Sequence, residues 1–278
     1  MSNPTLDEAQ IERWASYLLA AADERRAVSP ITDEQALSYA DAYAIQDRLL
    51  EKRLERGERL IGAKLGLTSR AKQKQMNVEE PVYGWLTDVM LLPNEEPFAR
   101  TSLIHPRAEP ELVFYVGERL AGARVTAQEV LRATEAVGGG IEIIDSRYEN
   151  FRFTLPDVVA DNTSAARFTL GTSRIAPESR DLCLLGCVFE RNGEIEATAT
   201  GAASMGNPAE AVAMLVRHLA RRPEGGPLPR ALEEGFVVLA GGLTGAVFLE
   251  PGTHVSASYP ELGAVRVRVA REAEGAES

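Results

Sequence analysis

The stretch that organises the chain is His105-Pro106-Arg107-Ala108-Glu109-Pro110-Glu111-Leu112-Val113-Phe114. Side chains of an extended strand alternate between faces, so Glu109 and Glu111 project from one face about 6.6–6.8 Å apart, while Leu112 and Phe114 point the other way. Outward from it, short apolar runs punctuated by Gly and Pro read as strands: Leu60 to Leu67, Glu111 to Val116, Ile141 to Ile144, Leu182 to Phe189, Phe236 to Leu239, Val247 to Leu249, His254 to Tyr259 and Val265 to Val269. The region before them is helical by pattern. Ile11, Trp14, Ala15, Leu18 and Leu19 recur at helical steps behind a Thr5–Glu8 capping box, and a second helix runs from Ser38, boxed by Asp41, to a stop at Gly57. Two further helices interrupt the strands, one from Thr126 and Glu129 to Val137, the other from Asn207 and Pro208 to Leu219. This order is that of an α+β protein, with a helical N-terminal region at 1–58 and a β-rich body at 59–278. The segment Arg221 to Pro229 reads as a surface loop within that body.

Composition narrows the class. The 278 residues are 45% apolar and 26% charged, which excludes disorder and collagen. A net charge of −11 repels a phosphate backbone, so nucleic acid is not an expected partner. No run approaches the roughly 18 apolar residues of a membrane span, and the N-terminus lacks the pattern of a secretory leader, so a cytoplasmic protein is expected. Cys183 and Cys187 match neither a redox pair nor a zinc knuckle and read as buried small hydrophobes.

Two acids on one strand face also describe a solvated sheet edge. A third acid changes the balance. Glu142, in Gly138-Gly139-Gly140-Ile141-Glu142-Ile143-Ile144-Asp145, is surrounded by residues of a sheet interior, where a lone carboxylate is costly without a cation. Carboxylate oxygens with no nearby His or Cys suit Mg²⁺ or Mn²⁺ and leave positions for water or a chelating substrate. Two more segments draw attention: Lys64 within Ile61-Gly62-Ala63-Lys64-Leu65-Gly66-Leu67-Thr68-Ser69, which is either a surface lysine at a strand end or a buried functional cation, and Val159-Ala160-Asp161-Asn162-Thr163-Ser164, which also reads as a simple polar turn.

Together with the Gly241-Gly242 pair and Asp145-Ser146-Arg147, these segments resemble the 2-keto-4-pentenoate hydratase and 4-oxalocrotonate decarboxylase family of the fumarylacetoacetate hydrolase-like superfamily, in unbroken order over nearly the whole chain. The resemblance implies a mixed β-sandwich or roll behind a helical N-terminal region, a divalent metal, and 2-oxo acid chemistry in aromatic meta-cleavage catabolism. By motif position Glu109, Glu111 and Glu142 would be the metal ligands, Lys64 the active-site lysine and Ser164 the holder of the substrate's 1-carboxylate, with Leu65, Val82, Asn162 and Gly242 also bordering the substrate. It further implies a homo-oligomer and a complex with a hydratase.

Hydratases of this kind carry an acid in the loop after the lysine segment; here Glu80-Pro81-Val82-Tyr83-Gly84-Trp85 offers Val82, which can neither accept a proton nor orient water. The wording Met76-Asn77-Val78-Glu79 leading into that loop, and Ile144 to Phe151, is similar to the decarboxylase branch. The expected activity is therefore decarboxylation of a 2-oxo dicarboxylate, with Val82 and Trp85 forming a dry wall near the departing group. A hydratase or related 2-oxo acid lyase, and a non-catalytic scaffold for a hydratase, are the alternatives. Asn207 stands where many relatives have His, and reads as a helix cap.

Overall fold

Two amphipathic helices open the fold. In α1 (Glu8–Glu24) the buried residues include Trp14, Ala15, Leu18 and Leu19, and in α2 (Tyr39–Glu55) Ile45, Leu49 and Leu50. Ser38 caps α2 through the expected box with Asp41, and the chain leaves at Gly57, whose φ of 92° favours glycine. The expected Thr5–Glu8 box is absent. Asp7 caps α1 with Gln10 instead, because the Thr5 amide and hydroxyl are both donated to the buried Asp41 carboxylate, at 2.6 and 2.8 Å. This computed structural model describes residues 5–69, 73, 80–222, 224, 226 and 228–271. The Met76–Glu79 wording and part of the Arg221–Pro229 loop lie outside them.

The strands form two mixed sheets. The larger, of seven strands, has the order β2 (Val82–Thr87), β1 (Leu60–Gly66), β9 (Val237–Leu239), β4 (Arg107–Val116), β5 (Thr134–Ile144) and β6 (Ala165–Ile175), with β10 (Val247–Phe248) also on β4. The smaller has the order β3 (Pro97–Phe98), β12 (Gly263–Val269), β11 (His254–Tyr259), β7 (Gly186–Arg191) and β8 (Glu194–Thr200). Pairing is antiparallel except for β1 with β9 and β12 with β3. Leu112, Phe114, Ile141 and Ile143 from the large sheet share one core with Val255, Ala257, Val265 and Val267 from the small one, the sandwich that the family resemblance implies. Gly139 permits the close approach, since a Cβ there would lie 2.6 Å from the Tyr259 ring. The Tyr259 hydroxyl donates to the carbonyls of Glu111 at 2.9 Å and Gly140 at 3.1 Å.

Several boundaries differ from expectation. Helix α3 (Ala127–Ala133) begins at the Thr126–Glu129 box but stops short of Val137, because Val137 pairs with Phe114 and the following glycines are poor helix formers. Val82–Thr87 is a wholly buried strand rather than a loop. A short helix, α4 (Leu155–Ala160), precedes the polar turn, and α5 (Pro208–Ala220) starts as read, with the Asn207 side chain accepting from the Ala209 amide at 2.9 Å. Cys187 is buried but Cys183 is only partly so. Among the described residues no helix is long and apolar enough to cross a membrane.

Candidate active site

The face of the large sheet turned away from the small one carries the site. On β4 the two-residue alternation sets Arg107, Glu109 and Glu111 in one row, and register places Glu142 of β5 directly opposite Glu109. One carboxylate oxygen from each of Glu109, Glu111 and Glu142 lies within 4.8 Å of the others. Glu111 and Glu142 are fully buried. Two glycines make the gathering possible. Gly241, at φ 102°, donates its amide to Glu111 Oε2 at 2.6 Å, and a Cβ on Gly242 would fall 2.2 Å from Glu109 Oε2.

This donor set fits a hard divalent cation. Glu111 Oε1 and Glu142 Oε1 are buried without a hydrogen-bond partner, a costly state that an ion bound between the carboxylates removes. All-oxygen donors are those of Mg²⁺ or Mn²⁺ rather than of structural zinc.

Lys64 sits mid-strand, 2% exposed, not at a surface strand end. Its Nζ lies 3.0 Å from Glu142 Oε2 and donates to the Thr163 carbonyl at 3.1 Å. Burial pushes Glu111 well above the ordinary carboxylate range, and the charges of Glu142 and Glu109 push it further. Burial likewise raises Glu142, to about 7, against the downward pull of the Lys64 ammonium. Burial acts to lower Lys64, but the opposing charges of Glu142, Glu109 and Glu111 outweigh it, so the ammonium is held above its ordinary value. Without a metal the cluster therefore keeps Lys64 protonated and resists full ionisation of its acids.

A cavity of about 270 Å³ opens over the cluster, and Lys64, Glu109, Val82, Ser164 and Gly242 all line it. Ser164 Oγ is buried and has no partner. It is presented by a turn in which Asn162, Thr163 and Ser164 all take left-handed φ of 49–57°, a strain that tertiary bonds must hold. Arg147 supplies them: it pairs with the Asp161 carboxylate and donates to the Asp161 carbonyl at 2.6 Å. Leu65 also borders the cavity, but strand alternation sends its side chain into the core, leaving only main chain to offer. Asn162 stands apart from the cavity wall. Its amide clasps the Trp85 backbone, accepting from N at 2.7 Å and donating to O at 2.9 Å. Trp85 too is core, against Tyr83, and not the wall expected from the sequence. Arg107, Phe151 and Phe153 line the cavity and were not singled out by sequence reasoning.

No family model matches the chain. The chain is 38% identical over 267 residues to 4-oxalocrotonate decarboxylase of Pseudomonas putida, covering 96% of this chain and 99% of that protein. The chain belongs to the 4-oxalocrotonate decarboxylase and 2-keto-4-pentenoate hydratase family. Hydratases of the family are nearly as similar: 2-hydroxypent-2,4-dienoate hydratase of Pseudomonas putida is 39% identical over 216 residues, 77% of this chain and 97% of that one. A solved family structure, 4-oxalocrotonate decarboxylase from Pseudomonas putida G7 complexed with magnesium and adipate, superimposes with a TM-score of 0.91 at 37% identity, covering 96% of this chain and all of that one. Fumarylpyruvate hydrolase of Pseudomonas aeruginosa, at 15% identity and a TM-score of 0.58, shares the fold over 76% of this chain and 90% of its own.

Proposed function

We propose that this chain decarboxylates 2-oxo-3-hexenedioate (4-oxalocrotonate) to 2-hydroxypenta-2,4-dienoate and carbon dioxide, as a Mg²⁺-dependent carboxy-lyase of aromatic meta-cleavage catabolism. The carrying observation is the convergence of three carboxylates beside the buried Lys64 ammonium, in a chain matching 4-oxalocrotonate decarboxylases over nearly its full length. Glu109, Glu111 and Glu142 would hold the ion, with Mn²⁺ an acceptable substitute.

In this reading the C5–C6 electron pair moves into C4–C5 as carbon dioxide leaves, the C3–C4 pair moves into C2–C3, and negative charge arrives at the C2 oxygen. The bound ion supplies Lewis-acid stabilisation of that charge. Lys64, held cationic, adds a fixed positive charge on the same cavity wall. Ser164 Oγ, free of other partners, would donate to the 1-carboxylate. Gly242 and the Leu65 main chain would border the 2-oxo head. Val82 lies across Gly66 from Lys64: a Cβ on Gly66 would be 3.3 Å from Val82 Cγ2 and 3.8 Å from Lys64 Nζ. Its hydrocarbon gives water nothing to bond, which favours decarboxylation over hydration. The dienol product tautomerises in water, so direct transfer to a partner hydratase in the cytoplasm completes the proposal.

The test is to incubate purified protein with 2-oxo-3-hexenedioate and Mg²⁺ and follow carbon dioxide and the dienol. Release of a 4-hydroxy-2-oxo acid from the dienol, with no carbon dioxide from the dicarboxylate, would assign the chain to the hydratases instead.

A further inference from the structure

Arg107 is a cation in the cavity wall that the chemistry above leaves unused. Among the described residues it makes no ion pair, and its Nε is buried without an acceptor. Two aromatic rings pack against the guanidinium: its carbon lies 3.8 Å from the Phe151 ring centre and 4.2 Å from that of Phe248. Neither ring comes cheaply. Phe248 is 49% exposed, and Phe151 follows Asn150 into left-handed φ, 53° after 55°. With two rings against it and no hydrogen-bond acceptor among the described residues, the guanidinium keeps its planar N–H fork, the geometry that receives a carboxylate, for a ligand.

We propose that Arg107 binds the carboxylate farthest from the 2-oxo head, and so makes the cavity selective for dicarboxylates. The inference rests on the reading of the site given above. Formal charge calls for such a group: three carboxylates against Lys64 and a divalent ion leave the metal corner neutral, so a dianionic substrate would otherwise meet no net positive charge. Spacing agrees. Arg107 lies two residues along β4 from Glu109, about 6.6–6.8 Å, and the four carbon–carbon bonds from C2 to C6 of the substrate, each near 1.5 Å, span about 5 Å. The step balances without further reagents, because Arg107 exchanges neither proton nor electrons. It loses its partner as C6 leaves as neutral carbon dioxide. The interaction is thus stronger in the ground state than in the transition state, and its removal raises KM without lowering kcat.

The experiment uses a matched pair of unreactive ligands, 2-oxohexanedioate and 2-oxohexanoate, titrated calorimetrically into the Mg²⁺-loaded protein. Arg107→Met is expected to weaken the dicarboxylate by about tenfold to a hundredfold and to leave the monocarboxylate within about twofold. Arg107→Lys, which keeps charge but loses the fork, should recover part of the dicarboxylate affinity and serves alone if the Met variant does not fold. Equal loss for both ligands would assign Arg107 to the shared 2-oxo acid head, and no loss for either would make it a packing residue; both results overturn the proposal. A dicarboxylate preference that Arg107→Met abolishes, in a protein whose wild type releases no carbon dioxide from 2-oxo-3-hexenedioate, would remove the decarboxylase reading while supporting Arg107 as the selector.

Discussion

Lys64 Nζ stands 3.0 Å from Glu142 Oε2, and both side chains are almost without solvent contact. Lys64→Met retains the apolar stem and deletes the charge, so it tests the cation and not the packing. Electrostatic stabilisers of a developing oxyanion are worth about 10²- to 10³-fold in rate. We expect a loss of that size in carbon dioxide release, with an unchanged circular dichroism spectrum. Wild-type turnover in Lys64→Met would remove the residue from the chemistry.

The raised carboxylates give the metal-free protein a pH-dependent stability. Burial raises Glu142 to about 7 and holds Glu111 well above the ordinary carboxylate range, so between the unfolded value near 4.5 and about 7 the native state holds more protons than the unfolded chain. Stability therefore falls as pH increases through this window. Chelated protein should melt at a lower temperature at pH 8 than at pH 5.5, and Mg²⁺ should restore most of the difference. Glu111→Gln should flatten the pH dependence and abolish Mg²⁺ binding in calorimetry. Glu109→Gln and Glu142→Gln should likewise remove most activity.

Gly242 is required by Glu109 rather than by its own backbone. Gly242→Ala would place a methyl carbon 2.2 Å from Glu109 Oε2, a contact that only displacement of the carboxylate relieves. We expect Mg²⁺ affinity to fall by about tenfold or more, since a bond to a charged group is worth about 1.5–3 kcal/mol, with the melting temperature of the chelated protein little changed. Wild-type affinity would show that Glu109 has room to move without loss.

Val82→Asp puts an anion across Gly66 from Lys64. Repulsion of the departing carboxylate and entry of water should slow decarboxylation. The new carboxylate beside Lys64 should also bring trace hydration of 2-hydroxypenta-2,4-dienoate. Carbon dioxide release and hydration are measured separately, with circular dichroism to confirm folding; unchanged decarboxylation would mean that Val82 is ordinary packing.

Features set by neighbours in sequence were the legible ones. The Ser38–Asp41 box, the Asn207 cap and the shared face of Glu109 and Glu111 all follow from spacings of a few residues. The α+β order was also readable, while the sandwich came from the family resemblance; β6 was not readable, because its Ala165-Ala166-Arg167-Phe168-Thr169 start lacks a clean alternation and is buried on both faces. Thr5 was misread because its acceptor, Asp41, belongs to another helix. The pairing of Glu142 with Glu109 depends on strand register, which no local pattern specifies. Arg107 stayed hidden within a quoted motif, since its flanking rings come from Phe151 and Phe248, far along the chain. Asn162 and Trp85 looked like site residues because they are neighbours of cavity-lining residues in sequence; their mutual clasp instead fastens β2 to the turn that presents Ser164.

The Tyr259 hydroxyl is shared between the carbonyls of Glu111 and Gly140, so one side chain of the small sheet grips the two strands that carry the acids. We therefore expect ion loading on one side of the large sheet and docking of the small sheet on the other to be thermodynamically linked. An ion that steadies Glu111 also steadies the footing of Tyr259, and loosening the C-terminal hairpin loosens the ion. Amide exchange along Val255–Tyr259 should slow when Mg²⁺ is added, making this hairpin a remote gauge of the occupancy of a site it does not line.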